Sequence, residues 1–94
     1  MSTIDQIKKK AIPILKEAGV KRSSLFGSVV RGEAGKKSDI DILVELPKNQ
    51  SLFDFVDLQL KLEQVLGKKV DLVEYSTIKP RLKPYILNDQ LQII

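Results

Sequence analysis

The chain has 94 residues, of which 43% are hydrophobic and 30% are charged, and it carries a formal net charge of +4. This length fits one domain, expected over residues 1–94, and the composition excludes a disordered or low-complexity protein. Cysteine and histidine are both missing, which excludes disulfides, thiolate zinc sites and the most usual general base. Any chemistry must therefore use carboxylates, hydroxyls, lysine or arginine.

No apolar run approaches the roughly 18 residues that span a bilayer, and the N-terminus lacks the layout of a signal peptide. We therefore expect a cytoplasmic protein without a membrane partner. The sequence pI near 9.4 favours polyanionic ligands or an acidic partner, although the excess of lysine is also ordinary for solubility. The basic residues are scattered, so they do not form a nucleic-acid-binding tail.

The first two elements are a helix and a strand. Thr3 and Gln6 have the spacing of a capping box, and apolar residues then recur at helical spacing as far as Gly19. Residues 20–26 predict a buried strand that runs into a tight turn at Gly27 and Ser28. Ser28 is a good N-cap for a brief helix over residues 29–33.

A second strand, a long helix and a third strand are predicted next. Residues 39–45 predict a strand, and Ser51 with Asp54 can cap a helix that stops at Gly67. We expect its apolar face to be core, comprising Leu52, Phe55, Leu58, Leu62, Val65 and Leu66. Residues 70–75 predict the third strand.

The C-terminal part predicts a weaker helical segment and a short final strand. Pro80 and Pro84 leave the start of the helix open, while Tyr85 and the two residues after it are expected to be buried. Residues 91–94 are expected to form the final strand.

Three aspartates are placed for metal binding. Side chains alternate along a strand, so Asp39 and Asp41 face the same side with Cα atoms about 6.6 Å apart. Asp71 supplies a third carboxylate if the third strand pairs beside the second. Such carboxylates repel one another unless a hard cation binds them, which favours a metal site over a structural role.

The turn at Gly27 and Ser28 is suited to binding phosphate, because a helix N-terminus offers free N–H groups. Taken alone, a Gly-Ser step is more typical of a plain helix cap. Arg31 is interpreted as a surface ion-pair residue, and Tyr75 and Tyr85 as packing residues.

The joint pattern of Gly27-Ser28, Asp39-Ile40-Asp41 and a later strand aspartate resembles the minimal nucleotidyltransferases of the DNA polymerase beta superfamily, over nearly the whole chain. The resemblance implies an α+β fold, a small mixed sheet backed by helices. It implies Mg²⁺, two ions with Mn²⁺ as a substitute, held by Asp39, Asp41 and Asp71. It also implies that Gly27 and Ser28 grip ATP or another nucleoside triphosphate, and that Asp71 helps to deprotonate the attacking hydroxyl.

Val30 stands where many members of that superfamily have a small residue, which affects the packing of the short helix. Stand-alone members resemble antitoxins that pair with a HEPN-domain RNase toxin and transfer AMP to a tyrosine of that toxin. The resemblance therefore implies a protein acceptor. Two alternatives stay open: a module that neutralises its partner by binding alone, and an RNA-binding adaptor, which lacks an aromatic platform or a continuous basic stripe. Direct nucleic-acid binding is not expected.

Replacing Ser28 by alanine separates a capping role from a phosphate-binding role. A lost N-cap costs about 1 kcal/mol of stability, whereas a lost phosphate contact also misplaces the reacting atom. We expect Ser28→Ala to weaken nucleotide use more than folding, measured by transfer kinetics at low and saturating nucleotide beside thermal unfolding. Unchanged kinetics with lowered stability would identify Ser28 as a cap only.

Overall fold

A computed structural model describes residues 3–27, 30, 39–88 and 90–94 of the chain. The elements are α1 (Thr3–Glu17), β1 (Arg22–Phe26), β2 (Ile40–Glu45), α2 (Leu52–Leu66), β3 (Val70–Glu74), a 3₁₀ turn (Tyr75–Thr77), α3 (Lys83–Asn88) and β4 (Leu91–Gln92). The predicted order of helices and strands is confirmed. The predicted helix over 29–33 and the side chain of the Thr3 cap lie outside the described residues.

The four strands form one mixed sheet in the order β3-β2-β1-β4. β1 pairs antiparallel with β2 and with β4, whereas β2 and β3 are parallel because α2 carries the chain back to the starting end of the sheet. This confirms the expected α+β fold with a small mixed sheet. No helix in the described part of the chain is long and apolar enough to cross a bilayer.

The core lies between one face of the sheet and the helices α1 and α2. It contains alternate residues of β2, including Ile40 and Ile42, together with Leu15 of α1 and Leu62 of α2. Alternation along β2 therefore places Asp41 on the opposite face, away from these two helices.

α2 is held at both ends by the residues that its sequence pattern indicated. The Ser51 hydroxyl accepts a hydrogen bond from the Asp54 N–H, and the Asp54 carboxylate accepts one from the Ser51 N–H at 3.0 Å. Gly67 ends the helix in the left-handed conformation with φ of 67°, where its N–H donates to the Glu63 carbonyl.

The predicted apolar face of α2 is only partly core. Leu58 and Leu62 are buried, but Leu52 is 76% exposed and Val65 is 37% exposed, so their assignment to the core was wrong. Tyr85 was also expected to be buried and is 75% exposed. These three residues lie beyond the area that the neighbouring elements cover.

A polar cluster lies on the sheet face opposite α1 and α2, where β3 ends at Tyr75. The Tyr75 hydroxyl donates to the buried Ser24 hydroxyl at 2.7 Å, and the Arg22 guanidinium lies 4.1 Å from the centre of the Tyr75 ring. This contact links the end of β3 to β1 across β2, so the interpretation of Tyr75 as a packing residue is confirmed.

Two leucines of α2 give a matched test of the hydrophobic core between the sheet and the helices. Leu62 is fully buried, whereas Leu60 is 58% exposed on the same helix. We expect Leu62→Ala to lower the free energy of unfolding by about 2–5 kcal/mol through lost burial and a residual cavity. Leu60→Ala should change it by about 0.5 kcal/mol or less. Chemical denaturation of both variants measures the difference, and equal losses would contradict the assigned core.

Candidate active site

Two carboxylates are brought side by side by the register of β2 and β3. Asp41 lies directly opposite Asp71, and both follow a buried residue at the amino ends of parallel strands. Neighbouring strands are about 4.8 Å apart, so the two side chains lie next to each other on the face away from α1 and α2. The sequence could suggest this pairing but could not fix it, because it depends on the crossover through α2.

Asp39 lies just before β2 and is exposed. It is therefore two residues from Asp41, at the same end of the sheet. In the part of the chain that the structure describes, no group of three or more acidic side chains is gathered closely enough to hold a metal ion. The structure thus pairs Asp41 with Asp71 and leaves Asp39 beside them rather than completing a three-carboxylate cluster.

The end of β1 lies beside Asp41. Phe26 pairs with Asp41, and Gly27 follows with φ of +76°, a conformation that favours glycine. A Cβ added to Gly27 would collide with a carboxylate oxygen of Asp41 and would lie 3.1 Å from its Cγ. The backbone of the Gly27 turn is therefore packed directly against the Asp41 carboxylate.

Ser28, the second residue of the proposed phosphate-binding turn, lies outside the described residues, as does Arg31. Gly27 itself closes a turn in which the Val30 N–H donates to its carbonyl at 3.2 Å. The phosphate-binding role of Gly27 and Ser28 thus stays a prediction, but the structure places Gly27 beside the Asp41 carboxylate.

Lys69 also lies at the amino ends of β2 and β3, although the sequence did not single it out. The Ile40 N–H donates to the Lys69 carbonyl at 2.9 Å, so Lys69 lies at the same amino ends of β2 and β3 as the aspartates. The only signal was its position two residues before Asp71.

The donor set has the chemistry that hard divalent cations require. Asp41, Asp71 and the nearby Asp39 offer only oxygen atoms, which Mg²⁺ and Mn²⁺ prefer. Adjacent carboxylates on paired strands are unfavourable without a compensating charge. These residues therefore fit a divalent cation bound together with a phosphate chain.

A groove in the described structure lies away from these carboxylates. It encloses about 840 Å³ and is lined by the ends of β2 and β3, the loop after β2 and the start of α2, including Leu46, Leu52 and Tyr75. Because β2 and β3 are parallel, these carboxyl ends lie about 13 Å along the strands from the aspartates. The groove is not lined by Asp41 or Asp71, so we place the chemistry at these paired carboxylates and not in the groove.

A mixed sheet with helices on one face and paired carboxylates on the other is suited to metal-assisted transfer of a phosphoryl or nucleotidyl group. The nucleotidyltransferase domain model matches residues 8–92. The chain therefore belongs to the nucleotidyltransferase domain family, and it is a nucleotidyltransferase.

Two relatives are similar over most of the chain. A Methanocaldococcus jannaschii protein assigned as a protein adenylyltransferase is 52% identical over 91 residues, covering 97% of this chain and 98% of the relative. The protein adenylyltransferase MntA of Thermococcus cleftensis is 41% identical over 75 residues, covering 80% of this chain and 76% of the relative.

Two solved structures have the same fold. A minimal nucleotidyltransferase superimposes with a TM-score of 0.83 at 33% identity, covering 97% of this chain and 95% of the other. A chain of a toxin-antitoxin structure with AMP-PNP superimposes with a TM-score of 0.81 at 27% identity, covering 93% of this chain and 72% of the other. Together with the relatives, these structures confirm the family that the sequence motifs indicated.

Gly27→Ala tests the close approach of the turn to Asp41. Alanine at this position is strained by the positive φ and also collides with the carboxylate, so Asp41 must move. Gly67 is a matched control, because it has φ of +67° and a Cβ added there would meet open space. We expect both variants to lose about 1 kcal/mol of stability or somewhat more, from the strained conformation.

Only Gly27→Ala should also lose nucleotidyl transfer, by about 100-fold or more, because a displaced catalytic group of this kind has effects of that size. Thermal unfolding and transfer rates at a temperature where both variants are folded measure the two effects separately. Equal activity in the two variants would contradict the proposed role of the contact.

Proposed function

We propose that this chain transfers AMP from ATP to a hydroxyl group of a partner protein, using Mg²⁺ held by Asp39, Asp41 and Asp71. The observation that carries the proposal is the pairing of Asp41 with Asp71 beside the backbone of Gly27. This arrangement sets the Asp41 carboxylate against the turn whose sequence is suited to a triphosphate, with Asp71 on the neighbouring strand. The protein adenylyltransferase names of the relatives support AMP and a protein acceptor.

The proposed reaction is an in-line displacement at the α-phosphate. The acceptor oxygen forms a bond to the α-phosphorus, the bond to the bridging oxygen breaks, and pyrophosphate leaves. Bound Mg²⁺ would stabilise the charge that develops on the phosphate oxygens. Gly27 and Ser28 hold the triphosphate, and the Asp71 carboxylate accepts the proton of the acceptor hydroxyl.

The position of Asp71 agrees with its role as the proton acceptor. β3 is an outer strand of the described sheet and Asp71 is exposed, whereas Asp41 lies on the inner strand β2 and is half-buried. A large acceptor reaches the outer strand more easily than the inner one. Asp41 is therefore assigned to the cation, and Asp71 to both the cation and the acceptor.

A protein acceptor also agrees with the size of the described fold. One four-stranded sheet and its helices are too small to enclose a protein, so such an acceptor must be met at a surface. The relative of known structure in a toxin-antitoxin assembly supports a toxin as this partner. We propose a tyrosine of a HEPN-type toxin as the acceptor, and an added AMP would bring a bulky anion to it.

Removing single carboxylates tests the proposal. We expect Asp41→Asn and Asp71→Asn to lower the transfer rate by about 1000-fold or more, because each removes a charge that holds the cation in the transition state. Glu17→Gln removes one charge from an exposed position on α1 and should leave the rate unchanged. Intact-mass spectrometry of the partner after incubation with ATP and Mg²⁺ measures the added AMP.

Full transfer by either aspartate variant would contradict the assigned site. A partner that is inhibited but not modified by the unaltered chain would instead favour neutralisation by binding alone.

A further inference from the structure

The backbone of Val70, the first residue of β3, faces the outer edge of the described sheet. The Ile40 N–H donates to the Lys69 carbonyl, and Ile40 pairs with Val70 in the parallel register. In a parallel ladder this pattern turns the N–H and carbonyl of Asp71 towards β2 and those of Val70 away from β2. No strand of the described structure pairs with Val70 on that outer side.

Two side chains of α2 take the place of a neighbouring strand at this edge. The Gln59 side-chain amide donates to the Val70 carbonyl at 3.1 Å, and the Val70 N–H donates to the Glu63 carboxylate at 3.0 Å. Gln59 and Glu63 are four residues apart, so they lie on one side of the helix and reach the same residue. These two hydrogen bonds are here called the Val70 clamp.

The Val70 clamp ties β3 to a helix that is itself fixed in the core. Leu58 and Leu62 each stand one position before a residue of the clamp, and they are 3% and 0% exposed. Gln59 and Glu63 are half-buried, which shields their hydrogen bonds from competing water. The clamp therefore connects the start of β3 to a well-anchored part of α2.

The clamp lies one residue away from a site carboxylate in an exposed position. Asp71 is exposed near the start of β3, and within the described sheet β2 is its neighbour on one side only. The ends of such elements open locally at a lower free energy than their interiors. The clamp holds the preceding residue, whose Cα is about 3.8 Å away, from the other side. Movement of Val70 would therefore move Asp71 relative to Asp41.

The other end of β3 is bonded in a different way. The Thr77 hydroxyl donates to the Glu74 carbonyl at 3.0 Å, which closes a local turn after the strand. That bond joins residues three apart in the chain, whereas the clamp joins α2 to β3. The clamp thus acts at the amino end of β3, where Asp71 lies.

From these contacts we infer that Gln59 and Glu63 are positioning residues for the proposed transfer, which hold the amino end of β3 so that Asp71 stays beside Asp41. The inference rests on the proposed function. A misplacement of about 1 Å at a catalytic group can lower a rate by about 100-fold. Because the clamp acts through Asp71 and not on the nucleotide, its loss should lower kcat and leave the KM for ATP almost unchanged.

A series of variants separates hydrogen bonding from charge. Glu63→Met removes both the acceptor and the negative charge, whereas Glu63→Gln removes the charge but keeps an oxygen that can accept the Val70 N–H. Gln59→Met removes the donor without changing the charge. Gln64→Met is the matched control, because it makes the same substitution at an exposed position of α2. Methionine and glutamine are both good helix formers, so α2 is preserved.

The acceptor for the assay is the protein that the unaltered chain labels from α-³²P-ATP with Mg²⁺ in a soluble extract of the source organism, purified before use. Transfer is measured at a temperature at which thermal unfolding shows each variant to be folded. We expect Glu63→Met and Gln59→Met each to lower kcat by about tenfold or more, with the KM for ATP changed less than about twofold. Glu63→Gln should restore most of kcat, and Gln64→Met should transfer normally.

Unaltered kcat in folded Glu63→Met and Gln59→Met, with only their thermal stability lowered, would make the clamp purely structural. That result would overturn the inference and leave the proposed function intact. Equal losses of kcat in Glu63→Gln and Glu63→Met would assign the effect to charge and would also overturn the inference. If Glu63→Met does not fold, Gln59→Met decides between these outcomes, since it leaves Glu63 in place. Absence of any labelled protein with the unaltered chain would overturn the proposed function, and the inference with it.

Discussion

The close packing of the Gly27 backbone against the Asp41 carboxylate is the contact on which the rest of the site depends. It requires a residue without a side chain at the end of β1 and a positive φ, both of which glycine provides. It also requires β1 and β2 to pair with Phe26 opposite Asp41. Any shift of that register by one residue would turn Asp41 into the core and remove it from the turn.

The parallel pairing of β2 with β3 adds the second carboxylate to this contact. α2 makes the crossover, and its length is set by the capping box at Ser51 and the left-handed Gly67. The packing of α2 on the sheet thus fixes the position of Asp71 opposite Asp41. α2 therefore both packs on the sheet and sets the register that pairs the two carboxylates. One helix with two roles explains how a chain of 94 residues can bring such a site together.

Local sequence signals predicted most of this fold, because caps, periodic apolar residues and glycines act over a few residues. The limits of α2 were predicted in this way. Periodicity does not reveal how much of a helix its neighbours cover, so Leu52 and Val65 were wrongly assigned to the core. Tyr85 was misassigned for the same reason, since α3 has only six residues and buries none of them fully.

The sequence could name candidate site residues but not their arrangement. The spacing of the acidic residues and the family resemblance indicated Asp39, Asp41 and Asp71, yet the register that pairs two of them depends on long-range contacts. The position of Lys69 at the same end, and the groove at the opposite end of the sheet, could not be predicted from local patterns. Both depend on which strands become neighbours.

The central claim is that nucleotide and metal bind at the amino ends of β2 and β3, and not in the groove at their other end. Paramagnetic broadening by Mn²⁺ with a non-hydrolysable ATP analogue, observed on the backbone amide signals of the labelled chain, tests this most directly. Broadening centred on Gly27, Asp41 and Asp71, with Leu46 and Ser76 at the groove little affected, is the predicted result. Broadening centred on Leu46 and Ser76 would contradict the account.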